Sequence, residues 1–141
     1  MSNYEVRLDR GGRSPLHYAA LEGDLQEITH LLEQGVDPNI PDKKGFTALH
    51  FAAQQWQVQA AEMLLNGGAE VDPRNKYGNT PLMVATHSSQ GRDDLIELLR
   101  SRGADPFAET SDGRTPFGLA RLVGYNFFAD LEEREDRNHN G

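Results

Sequence analysis

The apolar positions of this chain fall into short clusters of two kinds, separated by stretches rich in Gly, Pro, Asp and Asn. One kind reads "SPLHYAA", "TALHFAA", "TPLMVAT" and "TPFGLAR". It opens on Ser14, Thr47, Thr80 or Thr115, where a helix N-cap belongs. Pro follows in three of the four, at the first helical position, where its missing N–H costs nothing. Ala19, Ala20, Ala52, Ala53 and Ala85 are small inward residues that let neighbouring first helices approach closely. The other kind reads "ITHLLEQG", "AEMLLNGG" and "IELLRSRG", with Ile28, Leu31 and Leu32, or Ala61, Leu64 and Leu65, spaced along one face of a second helix. Gly23 and Gly91 are expected to end first helices in a left-handed conformation, and Gly35, Gly68 and Gly103 to end second ones.

The clusters repeat. A Gly precedes each capping Ser or Thr by two positions, at Gly12, Gly45, Gly78 and Gly113, with spacings of 33, 33 and 35 residues. The third unit's two extra residues fall near "HSSQG", between its two helices. One helix pair cannot bury its apolar side alone, so each pair must stack on another. With these motifs recurring over about residues 8–131, the chain resembles the ankyrin-repeat proteins. The resemblance implies an all-α solenoid of about four helix-turn-helix units joined by β-turn or hairpin fingers, with fingers and first helices on a concave side. The units are expected at about 8–40, 41–73, 74–108 and 109–134, as a single domain over 1–134. His17 and His50 complete the family's Thr/Ser-Pro/Ala-Leu-His signature, whereas Met83 and Gly118 replace that His in the third and fourth units. Residues 108–134, with the second helix carried by "FFADLEE", are expected to form a C-terminal cap, and 135–141 a disordered tail.

Composition narrows the function. With 22 acidic and 14 basic residues the formal charge is -8, which repels phosphate backbones and anionic lipid and favours a basic partner; neither nucleic acid nor a membrane is expected. Cysteine is absent, which removes disulfides, thiolate nucleophiles and Cys-based zinc sites. No apolar stretch reads as a secretory signal or a membrane span, so a cytoplasmic location is expected.

The five histidines, His17, His30, His50, His87 and His139, show no H-x-x-x-H spacing. His17 and His50 are expected to tie adjacent units together by hydrogen bonds rather than to react. Ser88 and Ser89 beside His87 read as a solvated loop, because catalytic groups meet in space and need an oxyanion hole. "GGRS" and "NGGAE" lack the spacing and terminal Lys of a phosphate-binding loop. No catalytic residue, metal ligand or cofactor site emerges.

In a repeat fold, function is written on positions that do not hold the stack. The resemblance implies that finger tips and the exposed ends of first helices hold a partner. In this chain those positions include Leu21, Lys43, Lys44, Phe46, Gln54, Gln55, Lys76, Tyr77, Asn79, His87 and Arg114. Trp56 stands where the first unit has Gly23. Its ring is expected near Phe46, Tyr77 and Gln55 as an anchor on the binding side, or else folded back over neighbouring helix ends as a lid. Lys43, Lys44, Lys76 and Arg74 make the middle fingers locally basic, either for contact with carboxylates or as solvated hairpin edges. The expected function is binding of a partner protein by a free monomer, without catalysis. Short length and acidic charge further resemble small stand-alone bacterial ankyrin proteins that act as immunity proteins against toxins; a general scaffold or adaptor is the alternative.

Overall fold

The computed structural model describes residues 6–132. The capped clusters become helices α1 (Pro15–Glu22), α3 (Ala48–Gln54), α5 (Pro81–Ser88) and α7 (Pro116–Val123). The amphipathic clusters become α2 (Leu25–Glu33), α4 (Val58–Asn66) and α6 (Asp94–Ser101). A further helical segment starts at residue 129 and reaches the end of the described residues, so "FFADLEE" is helical only in its later part. The expected tail at 135–141 lies outside the described residues. Among the described residues no strand forms.

None of α1–α7 exceeds nine residues, too few to be stable alone in water, so packing must supply their stability. The first helices pack in one row, α1 on α3, α3 on α5 and α5 on α7, and the second helices in another, α2 on α4 and α4 on α6. Ala19, Ala20, Ala52, Ala53, Ala85 and Ala120 are all buried in the first row. Ile28, Leu31, Leu64, Leu95, Ile96 and Leu99 seal the second row against it. Burying one such aliphatic side chain contributes about 2 kcal/mol.

Helix starts follow the expected chemistry. Thr47 Oγ1 accepts the backbone N–H of His50 at 3.4 Å, Thr80 that of Met83 at 3.2 Å and Thr115 that of Gly118 at 2.9 Å. Helix ends follow it with two exceptions. Gly23 caps α1 at φ 71. The equivalent residue after α3, Trp56, takes the same left-handed conformation at φ 57 although it carries a side chain. After α5 the expected cap, Gly91, is not adjacent to the helix: Ser89 caps it at φ -64, and Gln90 and Gly91 then turn the chain at φ 52 and φ 83. The two additional residues are absorbed in this loop.

The fingers repeat a hydrogen-bonded turn. In each, the fourth residue after a polar anchor returns its carbonyl to that anchor: Arg13 to Asp9 (3.0 Å), Phe46 to Asp42 (2.8 Å), Asn79 to Asn75 (3.1 Å) and Arg114 to Thr110 (2.8 Å). Successive fingers are joined directly, by Lys43 N–H to the Gly11 carbonyl (2.8 Å), Lys76 N–H to Lys44 (2.8 Å) and Ser111 N–H to Tyr77 (3.0 Å). This close approach explains one signature glycine in particular: a Cβ on Gly78 would lie 2.7 Å from the Ser111 nitrogen.

Past α7, Arg100 of α6 holds the terminal segment. It makes two hydrogen bonds to Asp130 (3.0 and 2.8 Å), another to the Phe127 carbonyl (3.2 Å), and lies 5.3 Å from the centre of the buried Phe128 ring.

Candidate functional site

The two signature histidines are built into the stack. Ser14 N–H donates to His17 Nδ1 at 2.9 Å, and Thr47 N–H to His50 Nδ1 at 3.0 Å. That leaves Nε2 as the protonated nitrogen, and it donates to the next unit's finger: His17 to the Phe46 carbonyl at 2.9 Å, His50 to the Asn79 carbonyl at 2.8 Å. Each ring thus caps its own helix and bridges to its neighbour. Burial pushes His17 below the usual histidine range and His50 down to about 4, while the carbonyls that accept from Nε2 pull the other way. Both nitrogens of both rings are engaged, and the rings are buried, so neither has a lone pair or proton to offer a substrate. Among the described residues no group of three or more acidic or imidazole side chains could hold a metal ion.

Between the fingers and the first helices lies an open groove of about 310 Å³, lined by Arg13, Lys44, Phe46, Phe51, Gln54, Tyr77 and Val84. Phe46 stacks on Phe51 with centroids 5.7 Å apart and planes 16° from parallel. The Arg13 guanidinium lies 5.5 Å from the Phe51 centroid and 3.4 Å from the buried Asp42 carboxylate. Tyr77, 47% exposed, carries the Lys76 ammonium 5.8 Å from its ring centre. The groove therefore has an aromatic floor and a cationic, polar rim. Of the sequence-derived candidates, Lys44, Phe46, Gln54 and Tyr77 line it, and Lys43 and Lys76 stand exposed on the fingers beside it.

The remaining candidates sit elsewhere. Asn79 is half-buried, and its backbone serves the finger and His50. Leu21 is half-buried at the end of α1, its carbonyl accepting the Gln57 amide at 3.2 Å. Gln55 and His87 are exposed where α3 and α5 end. Arg114 borders a separate cavity of about 370 Å³ on the fourth unit, with Leu119 and Leu122.

Trp56 corrects an expectation. Its ring does not join Phe46 and Tyr77. It reaches the third unit, where Arg92 of the longer loop lies 4.5 Å from its centre and Asp94, the first residue of α6, accepts its Nε1–H at 2.9 Å. Arg92 is itself held by the Ser89 carbonyl at 2.8 Å and the Ser88 carbonyl at 3.0 Å. Half-buried against the core, the indole closes over the helix ends, which is the lid alternative. In the first unit the matching space is taken by the next unit's Gln57, whose Oε1 would lie 2.4 Å from a Cβ on Gly23. The third unit instead offers Arg92 from its longer loop and Asp94 from the start of α6 to a side chain at position 56.

Sequence reasoning missed the finger anchors. The side chains of Asp9, Asp42, Asn75 and Thr110 each accept two backbone N–H groups of their own finger, as Asp42 Oδ1 does from Lys44 at 2.9 Å and Phe46 at 2.8 Å. They stand three residues before each signature Gly, so the same period would have revealed them.

Comparison with known proteins agrees with this architecture. Residues 16–110 match the family described as ankyrin repeats, in three copies. The chain belongs to the ankyrin-repeat family, whose repeats are protein-binding modules. The matched stretch stops before α7, in the unit where Gly118 and Arg121 depart from the signature. No curated protein matches the chain. No helix among the described residues is long and apolar enough to cross a membrane.

Proposed function

We propose that this protein binds a partner protein in the groove between its fingers and first helices, and carries out no reaction of its own. The observation that supports this most is the aromatic character of the groove inside a polar rim: the exposed Tyr77 beside the half-buried Phe46, which is backed by the buried Phe51. Aromatic anchors surrounded by polar groups are the usual make-up of an interface centre. The supporting scaffold is rigid, because each finger is hydrogen-bonded to the next and each signature histidine bridges two units. A pre-organised surface loses little entropy on binding. The narrower reading, neutralisation of a toxin, rests on the resemblance alone; no residue of the groove distinguishes a toxin from another partner.

Site-specific photo-crosslinking tests the reading. A photoreactive amino acid at Gln54, in the groove, should yield a discrete adduct in cells of the source organism, and one at the exposed His30 on α2 should not. Adducts at position 30 with none at 54 would move the binding site to the second helices. Tyr77→Ala should weaken capture of the crosslinked partner by at least about 1 kcal/mol without lowering the melting temperature.

A further inference from the structure

We infer that the partner held in this groove presents an acidic segment that also carries an aromatic or branched aliphatic side chain. This rests on the groove being the binding site, as proposed above. The fingers stand side by side through their direct hydrogen bonds, which aligns Arg10, Lys43, Lys44, Lys76 and Arg114 as an exposed cationic row. The finger carboxylates offset it only at its two ends, Asp9 beside Arg10 and Asp112 beside Arg114, and leave Lys43, Lys44 and Lys76 as the cationic centre. Asp9 is engaged by the Tyr18 hydroxyl and by the N–H groups of Gly11 and Arg13. Asp42 is 6% exposed and paired with Arg13, and Asp112 stands exposed on the last finger.

This row sits on a chain whose net charge is -8, so the two scales of charge call for opposite partners. Distance decides between them. Part of the acid, Glu27, Glu33, Glu62, Asp94 and Glu97, lies on the second helices. A helix layer is about 10 Å thick, while the Debye length at physiological salt is about 8 Å. A segment docked on the fingers therefore meets the near cations at full strength and the far carboxylates largely screened. Exposed ion pairs contribute little each, so the cations orient and speed the encounter. Tyr77 and the half-buried Phe46 and Val84 offer no charge and leave apolar surface for a partner's apolar side chain to cover. Phosphates would also suit the cations, but Phe46 is stacked face-on to Phe51, which leaves Tyr77 as the exposed ring for a base.

The test is selection of short random peptides displayed on phage, beside a pool of random single-stranded DNA, against the full chain. Three variants run in parallel: Lys43→Glu/Lys44→Glu, Phe46→Ala and Tyr77→Ala, each checked for an unchanged helical spectrum and melting temperature. Peptides rich in Asp and Glu around an aromatic or aliphatic residue should be enriched. Their affinity should fall at least about tenfold on the charge-reversed variant and weaken as NaCl is raised. Enriched peptides without acidic excess, or acidic ones bound equally by Lys43→Glu/Lys44→Glu, would overturn the inference while leaving the groove in place. Preferential enrichment of DNA that competes at the groove would assign the row to nucleic acid instead. No enriched ligand, or ligands indifferent to both Phe46→Ala and Tyr77→Ala, would overturn the groove as the binding site, and the inference with it.

Discussion

At Trp56 the backbone is left-handed at φ 57, a conformation costing about 1–2 kcal/mol for a residue with a Cβ. The indole offsets this through the Arg92 contact, the hydrogen bond to Asp94 and its partial burial. Trp56→Ala keeps the backbone strain and loses the ring, whereas Trp56→Gly loses the ring but relieves the strain. The alanine variant should therefore be the less stable of the two by about 1 kcal/mol, as read by thermal or urea unfolding. Equal stability would mean that the left-handed geometry at this residue is not retained. The signature glycines carry a similar contrast. Gly78 (φ 77) and Gly113 (φ 78) share a conformation, but a Cβ at Gly78 meets the next finger at 2.7 Å and one at Gly113 meets nothing. Gly78→Ala should thus cost at least about 1 kcal/mol more than Gly113→Ala.

Among the elements, α5 depends on its cap. Thr80 is buried, and its hydroxyl accepts the Met83 N–H at 3.2 Å. Thr80→Ala should cost about 1 kcal/mol of stability with binding in the groove unchanged, measured by unfolding and by affinity side by side. The cap positions, the second-helix faces and the family were all legible in the residues, because each is a local pattern repeated at a fixed period. Two features near α5 were not. The ring at position 56 was expected beside Phe46 or else folded back as a lid, and the choice depends on Arg92 in the next unit's irregular loop and Asp94 at the start of α6. The end of α5 was assigned to Gly91, whereas Ser89 caps it, with its hydroxyl donating to the Thr86 carbonyl at 3.0 Å. An insertion breaks the register on which a repeat-based argument relies.

At the scale of the whole stack, the histidine bridges couple unit to unit, and their protonation state sets a pH dependence. His50 is held neutral, its pKa pushed down to about 4 from 6.5 by burial. Between those values the unfolded chain takes up a proton that the folded chain refuses, so stability is full above 6.5 and declines as the pH falls toward 4. The span corresponds to roughly 3 kcal/mol for His50, with a contribution of the same sign from His17, also pushed down. Urea melts taken stepwise through this window should show the decline. His50→Met, which installs the residue the third unit uses at Met83, should flatten it at some cost in stability at neutral pH. A slope unaffected by that substitution would place the titration elsewhere.

Local chemistry was enough to establish the helix pairs, their caps, the period and the family, since hydrogen-bond capping and apolar spacing act within a few residues along the chain. The groove, the cationic row and the lid required the units to be set against each other. Phe46 meets Phe51 within a unit, but Arg13, Lys44 and Tyr77 come from three different fingers, and the distances among them are fixed by how closely one finger can approach the next. Side chains on separate units converge through packing, and a list of residues carries no record of that.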